Sequence, residues 1–323
     1  MMLVRLGLLA LLPSVALGQV WAPPPANGHA PAKPPSFSGM VKIDPASFLV
    51  VHDEKDGSQG PFLGVLTVAF GRAPVVTPVD VVGGRMTPFL NDLEAVAAVP
   101  GWRNRFYLCE STVIVSPQDE KTPEFGRVVE VELVRRNDSF VATVQRWFYL
   151  PRDLTDQVEG MVVVPRKDKP DLFVLGLRGG GAGDAKRGKL VLCTADKEKG
   201  QLVRLPKDAE LVLDSPGAGF AKGDRHRDCA DLYLDPANNL WAAAAADPGD
   251  PGPFRSVIYQ VAVVRPESDD KPVELVEAKA TWTLDGVKVE AIAGPAWDDS
   301  ALSVASDDED YGGIWRPLMP PKK

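Results

Sequence analysis

Short runs of apolar residues recur along the chain, each followed by a proline-containing turn and a second apolar run that ends in polar residues. The first runs begin at Gly39, Glu94, Glu159, Ala230 and Glu290, so the pattern repeats every 55 to 71 residues. Apolar runs of this length, bounded by turn residues, are typical of β-strands. Each repeat is long enough for four short strands with their loops. The pattern therefore predicts an all-β, single-domain β-propeller over residues 36–323, with about five four-stranded blades and six as the alternative.

The stretches between the paired runs supply the remaining strands. β-Branched enrichment or alternation marks residues 128–134, 140–150, 189–193 and 256–264 as strands. Residues 88–99 and 241–246 favour helix by propensity. Because both segments fall on strand positions of the repeat, we predict strands there, and an alanine run also suits a strand pressed between neighbouring blades.

The last repeat offers only three strands, the third at residues 314–318. Closing a ring of sheets protects strand edges. We therefore expect the residues around Ser36 to supply the missing strand.

The N-terminal residues predict export. Arg5 precedes an apolar run from Leu6 to Leu17, with small residues at Ala16 and Gly18, which is typical of a secretory signal peptide over residues 1–18. Residues 19–35 are rich in proline and alanine and predict an extended tether. The apolar run is shorter than the roughly 20 residues of a membrane span. The sequence thus predicts a secreted or periplasmic protein without a membrane span, and an uncleaved anchor is the alternative.

The net charge limits the class of binding partner, and the cysteine spacing limits the metal sites and disulfides, that the chain could have. The net charge is −8, whereas a nucleic-acid partner requires a basic face. We therefore expect no nucleic acid, a monomer, and a small-molecule or protein ligand of unknown identity. Cys109, Cys193 and Cys229 lack the spacing of a zinc site and are predicted to be buried apolar residues. One disulfide is the alternative, since export would permit it.

Acidic residues recur at the start of the predicted innermost strands. Glu94, Glu159 and Glu290 should converge on the central channel, with Asp92 and Asp228 nearby, and carboxylates in such a cluster could share Ca²⁺. The alternative is that each carboxylate accepts backbone N–H groups of the adjoining blade. Without a metal, at least one glutamate should keep its proton at neutral pH unless donors or cations compensate.

Basic residues near the same strands are candidates for ligand binding. Arg178 precedes a glycine cluster, and Arg225, His226 and Arg227 lead into an innermost strand. They could present cations to a phosphate or carboxylate, or form a solvated loop paired with nearby acids. The glycine cluster lacks the phosphate-loop and dinucleotide patterns and predicts a hairpin connection. The acidic run 307–310 fails the calcium-loop pattern and predicts a solvated rim loop.

Several of these segments resemble a known family. The glutamate segments at 92–96, 157–161 and 288–292, GLRGGG at 176–181 and DDEDYGGIW at 307–315 are similar to a bacterial family of unknown function predicted to be propellers. More distantly, the chain resembles the SdiA-regulated calcium-binding propellers and the esterase-like phytases, in which an acidic residue opens several innermost strands. This resemblance implies a propeller with a possible Ca²⁺ site. The sequence departs from the pattern at Gly39 and Ala230, which replace the glutamate.

Two functions from different classes remain open. The first is a binding or scaffold module that uses the channel mouth to hold a ligand, a metal or a partner's loop. The second is a Ca²⁺-dependent phosphoesterase, in which arginines hold the phosphate. The sequence contains no G-x-S-x-G elbow and no H-E-x-x-H motif, and it does not decide whether the protein is an enzyme.

Overall fold

The computed structural model describes residues 36–53, 61–83, 90–111, 126–154, 156–180, 187–206, 210–216, 226–249 and 251–321. The predicted signal peptide, the predicted tether and Arg225 lie outside these residues. The described residues are almost entirely β-strand, and their single helical element is a 3₁₀ turn at Glu309–Tyr311. Within them, none of the helical structure is long and apolar enough to cross a membrane.

The described strands form five antiparallel groups in chain order. The first group contains β1 (Gly39–Asp44), β2 (Ser47–Val51), β3 (Leu63–Thr67) and β4 (Val75–Val82). The second contains β5 (Leu93–Ala98), β6 (Arg105–Glu110), β7 (Arg127–Arg136) and β8 (Ser139–Tyr149). The third contains β9 (Val158–Val164), β10 (Leu172–Leu177), β11 (Lys189–Asp196), β12 (Gln201–Arg204) and β13 (Glu210–Val212). The fourth contains β14 (His226–Leu234), β15 (Asn239–Ala246), β16 (Arg255–Val264), β17 (Val273–Leu275) and β18 (Ala280–Asp285). The fifth contains β19 (Val289–Ala293), β20 (Leu302–Ser306) and β21 (Trp315–Leu318).

The first strands of the five groups form a closed ring. β1 packs against β5, β5 against β9, β9 against β14, β14 against β19, and β19 against β1. One buried apolar cluster lies between each pair of neighbouring groups. Sheets packed face to face around an axis, with their first strands innermost, make a β-propeller. The predicted all-β propeller fold is confirmed, and Glu94, Glu159 and Glu290 all lie on innermost strands.

Two segments that favour helix by propensity form strands, as the repeat predicted. The alanine run lies in β15, and residues 93–98 form β5. Ala242 and Ala244 face the third group, whereas Ala243 between them faces the fifth. This alternation buries both faces of the strand, and small side chains let the two neighbouring sheets approach closely.

The ring does not close as the sequence predicted. Phe37 N donates to Ser306 O (3.2 Å) and Ser38 N to Val51 O (3.1 Å), so the chain enters β1 directly. Among the described residues, no strand pairs with the outer edge of β21. The expected fourth strand around Ser36 is therefore wrong, and closure comes from side-chain packing, in which Phe37 is fully buried.

The outer strands of the first three groups are joined by parallel pairing. Val79–Val82 of β4 pairs with Phe140–Thr143 of β8, and Tyr149 of β8 pairs with Gln201 of β12. The first three groups therefore form one continuous sheet, whereas the fourth and fifth groups are separate sheets. The three cysteines are free and buried, as predicted.

Candidate functional site

Ten backbone positions lie around one end of the ring, which we call the channel mouth. At one of them, Met40, the side chain packs in the apolar cluster between the first and fifth groups. In each group the first strand begins where the second strand ends, because the two are antiparallel. The mouth therefore receives the second residue of each innermost strand and the residue that follows each second strand. The first set is Met40, Glu94, Glu159, Arg227 and Glu290, and the second is His52, Ser111, Arg178, Asp247 and Asp307.

Each of the three glutamates is the extra residue of a β-bulge. Glu94, Glu159 and Glu290 have no opposite partner in the pairing of their strands with the second strand of the group. Residues three apart across the bulge, which would point to opposite faces of a regular strand, pack in the same apolar cluster. These pairs are Leu93 with Val96, Val158 with Met161, and Val289 with Ile292. A bulge re-aims a side chain without losing the core contacts on either side, so it lets a charged residue reach the mouth.

Arg227 lies at the centre of the charges. Its Nη1 contacts Glu159 Oε2 (3.2 Å) and Glu290 Oε1, while its Nη2 contacts Asp247 Oδ2 (3.0 Å). The side chain is only 10% exposed. Burial alone would lower the pKa of Arg227, but Glu290, Glu159 and Asp247 together raise it above its usual range. Arg227 thus joins the third, fourth and fifth groups through buried ion pairs.

A second buried cation, Lys288, lies just before β19. Its Nζ contacts Glu290 Oε1 (3.2 Å), Asp307 Oδ2 (3.7 Å) and Glu309 Oε1. The side chain is almost fully buried. Burial opposes its charge, but Glu290, Asp307 and Glu309 raise the pKa of Lys288 above its usual range, so it stays charged.

The carboxyl group of Glu94 contacts neither a cation nor a hydrogen-bond donor of the described residues, although the residue is only 9% exposed. Burial, followed by the charges of Glu159, Asp92 and Glu290, holds the pKa of Glu94 well above its usual value, against a smaller effect of Arg227. These effects favour the protonated form of Glu94, which is the direction expected where like charges converge.

Glu159 is compensated only in part. Its Oε2 contacts Arg227, and its Oε1 lies 3.5 Å from Arg178 Nη1. That second oxygen is buried and accepts no hydrogen bond from the described residues. Burial raises the pKa of Glu159, although Arg227 and Arg178 oppose the shift.

The first two residues of the acidic run after β20 are buried, which corrects their interpretation as part of a solvated loop. Asp307 and Asp308 are 6% and 7% exposed. Asp308 accepts the backbone N–H of Lys288 (2.7 Å) and the hydroxyl of Ser306 (2.8 Å). Burial and the charge of Glu290 raise the pKa of Asp307 to about 7, despite the opposing charge of Lys288.

Asp228 and His226 face away from the glutamates. Asp228 Oδ2 accepts the backbone N–H of Gly188 (2.6 Å), and its Oδ1 contacts Ser215 and His226. The role that the sequence suggested for the glutamates, holding adjoining blades in register, is performed by Asp231. Its Oδ2 accepts Ile292 N of β19 (2.6 Å), and its Oδ1 accepts Leu232 N (2.7 Å).

The other residues predicted to bind a ligand or a metal lie at the mouth, next to it, or outside the described residues. Arg178 reaches Gln157 (2.9 Å) and Asp247 (3.4 Å) and is 31% exposed. Asp92 is buried next to Glu94 in the left-handed region, with φ of 52°. Arg225 lies outside the described residues. The glycine stretch after Arg178 connects the antiparallel strands β10 and β11, as the predicted hairpin requires.

The three glutamates as placed do not fit a shared Ca²⁺ ion. The guanidinium of Arg227 contacts both Glu159 and Glu290, so a cation of the protein already lies between two of the proposed ligands. Among the described residues, no group of three or more His, Cys, Asp or Glu side chains is arranged to hold a metal. Binding of Ca²⁺ stays a prediction.

Sequence reasoning missed Lys288 and Asp247 and misaligned Arg227. In β14, Arg227 pairs with Ala245 and Asp231 with Ala243, so three residues bulge opposite Ala244. The fourth repeat was aligned on Ala230, but Arg227 holds the position of the glutamates. Asp247 carries a usable signal, since it directly follows a second strand, as Arg178 and Asp307 do.

Comparisons with known proteins support the fold. No protein-family model matches the chain, and no curated protein is significantly similar to it in sequence. One similar solved structure belongs to the GH130 family of mannoside phosphorylases, which contains glycoside hydrolases that target β-1,2 mannosidic linkages in Candida mannan. It is 11% identical with a TM-score of 0.50, and the match covers 90% of this chain and 85% of that one.

Two further structures are less similar. A candidate glycoside hydrolase from Parabacteroides distasonis is 12% identical with a TM-score of 0.47, covering 90% of this chain and 88% of that one. An aldose sugar dehydrogenase from Streptomyces coelicolor is 13% identical with a TM-score of 0.39, covering 87% and 95%. At these identities the first match shows the fold alone, and the other two carry no argument. None of the three supports the narrower resemblance to calcium-binding propellers or phytases, which stays a prediction.

Proposed function

We propose that this protein is a binding module whose channel mouth takes a small positively charged group. The observation that carries the proposal is Glu94, a buried mouth carboxyl that no described cation or hydrogen-bond donor contacts. The ligand class comprises an organic ammonium group and Ca²⁺, which share the same attraction to carboxylates.

The charge balance of the mouth supports a cationic ligand over an anionic one. Three basic side chains lie at the mouth or next to it, Arg178, Arg227 and Lys288. Six acidic side chains accompany them, namely Asp92, Glu94, Glu159, Asp247, Glu290 and Asp307. All three basic side chains already contact carboxylates of the mouth. A phosphate would have to displace those carboxylates to pair with the basic side chains. A cation would instead add a partner beside Glu94 and beside the Glu159 oxygen that accepts no hydrogen bond from the described residues.

Binding should be coupled to the release of a proton. The raised pKa of Glu94 favours its protonated form in the free protein, whereas a carboxylate must be ionised to pair with a cation. The affinity for the cation should therefore increase as the pH rises toward the pKa of Glu94.

The test is isothermal titration with CaCl₂ and, separately, with 1,4-diaminobutane, in two buffers that differ in ionisation enthalpy. We expect one of the two ligands to bind with release of about one proton per site and to raise the melting temperature by mass action. Glu94→Gln keeps the shape and removes the charge, so it should abolish both effects. The matched control is Glu132→Gln, on an outer strand of the same group, which should bind like the wild type. Binding of neither ligand to the wild type, or equal binding to Glu94→Gln, would overturn the proposal.

One observation favours hydrolysis as a second candidate function. The pKa of Glu94 is held well above its usual value, whereas Glu290 and Glu159 contact the guanidinium of Arg227. Neighbouring carboxyl groups in different environments divide the roles of acid and base in many hydrolases. We expect any turnover of 4-nitrophenyl glycosides or 4-nitrophenyl phosphate, with or without Ca²⁺, to fall about a hundredfold or more in Glu94→Gln. Turnover equal to that of a heat-denatured sample would remove the enzyme hypothesis, without affecting the titration above.

A further inference from the structure

A second cavity lies on the outer side of the ring, between the second and third groups. Its volume is about 490 Å³, within the range of small-molecule sites. Its lining includes Gly83, Arg146, Trp147, Tyr149, Lys197 and Lys199. These residues come from the end of β4, from β8 and from the turn between β11 and β12, so the cavity is separate from the channel mouth.

The cavity exists because one edge of β8 is paired only at its two ends. β4 pairs with β8 as far as Thr143, and Tyr149 N then donates to Gly200 O (2.9 Å). Between these points, no described strand pairs with this edge of β8. A bulge at Gln145 adds to the irregularity, so backbone N–H and C=O groups within residues 144–148 are left without strand partners on that side.

The side chains around this edge are mainly hydrogen-bond donors. Lys197 and Lys199 project from a turn that Asp196 fixes, because its Oδ1 accepts Glu198 N (3.1 Å) and Lys199 N (3.0 Å). Lys197 forms no ion pair with the described residues. Arg146 is 43% exposed and uses its Nε for Glu130.

The side chains of this lining that accept hydrogen bonds are fewer than those that donate. Gln145 Nε2 donates to Thr143 O (3.2 Å), and the carbonyl of Gly200 accepts Tyr149 N. Glu198 is the one acidic residue of the lining, against three basic residues, in a chain whose net charge is −8. A donor-rich basic cavity in an acidic protein suits an anion.

Two aromatic side chains complete the wall. Trp147 is half-buried and packs into the apolar cluster between the first and second groups, while Tyr149 is 46% exposed. An exposed aromatic face beside anchored cations suits a ligand with both a negative charge and a flat apolar ring. We propose that this cavity binds a small aromatic anion, that is, an aromatic ring bearing a carboxylate, sulfonate or phosphate group.

The test uses a matched pair of fluorescent probes on the full chain. 8-Anilino-1-naphthalenesulfonate carries both the ring and the charge, whereas N-phenyl-1-naphthylamine carries the same rings without the charge. We expect the sulfonate to bind at least about tenfold more tightly, and its affinity to fall as NaCl is raised. Lys197→Gln/Lys199→Gln should weaken its binding about tenfold, and Tyr149→Ala should weaken it as well.

A control variant separates a site from general charge attraction. Lys271→Gln/Lys279→Gln removes two exposed lysines from the fourth group and changes the net charge equally. This control should bind the sulfonate probe within about twofold of the wild type. Equal affinities of the two double variants, or equal affinities of the charged and neutral probes for the wild type, would overturn the proposal.

Discussion

Replacing Arg227 with methionine should lower the free energy of unfolding at pH 7 by about 3–5 kcal/mol, because removing one partner of a buried ion pair leaves the others uncompensated. Glu159 and Glu290 are 2% and 4% exposed in their side chains, and both contact this guanidinium. Methionine has a similar volume, so the loss would report charge rather than a cavity. Urea unfolding followed by circular dichroism measures it.

The control for this variant is Arg265→Met. Arg265 pairs with Glu274 on the surface, where the side chains are 59% and 49% exposed, and exposed pairs contribute at most about 1 kcal/mol. Adding Glu290→Gln to Arg227→Met should recover part of the lost stability, because it removes one of the uncompensated charges. If Arg227→Met were as stable as Arg265→Met, the buried charge cluster would not hold the third, fourth and fifth groups together.

Asp307 should make the protein less stable as the pH rises from 5 to 8. Its pKa of about 7 in the folded protein lies above the ordinary value of 3.8, so the folded state binds the proton more tightly than the unfolded state does. The stabilisation is therefore present at acidic pH and is lost as the pH rises through 7. This group alone accounts for about 3 kcal/mol between pH 5 and pH 8.

The measurement compares the wild type with Asp307→Asn by urea unfolding at both pH values. The variant cannot ionise, so it should gain about 3 kcal/mol relative to the wild type between pH 5 and pH 8. The difference in free energy of unfolding between the wild type and Asp307→Asn removes the contributions that other titrating groups, such as Glu94, make to both proteins. Asp298→Asn, an exposed neighbour in the chain, should show no such gain. A constant difference between Asp307→Asn and the wild type would show that Asp307 is ionised throughout this range.

The fold was predictable because the spacing of apolar runs along the sequence follows the structural repeat. The pattern placed β5 and β15 correctly against their helix propensity, and it placed all three glutamates on innermost strands. It misplaced Arg227, because the bulge of β14 spans three residues whereas the other bulges contain one. A strand register of this kind depends on contacts with neighbouring sheets, which a single sequence does not display.

The chemistry of the mouth was predictable only in part. The converging acids follow from the repeat, but their partners depend on distances across the ring. Lys288 is buried among three carboxylates although nothing around it in sequence separates it from a surface lysine. Asp307 and Asp308 look solvated in a run of acids, yet they are buried because Lys288 supplies a charge to one and a backbone N–H to the other.

The parallel pairing of β4, β8 and β12 makes the ring mechanically unequal around its circumference. Backbone hydrogen bonds run without a break through the first three groups, and such an arc resists opening. The fourth and fifth groups are joined to their neighbours by packed side chains, a few backbone contacts such as Asp228 N with Arg178 O, and the ion pairs of Arg227. Breathing of the ring should therefore concentrate at the junctions of the fourth and fifth groups with their neighbours, and the ion pairs of Arg227 oppose it at two of these three junctions.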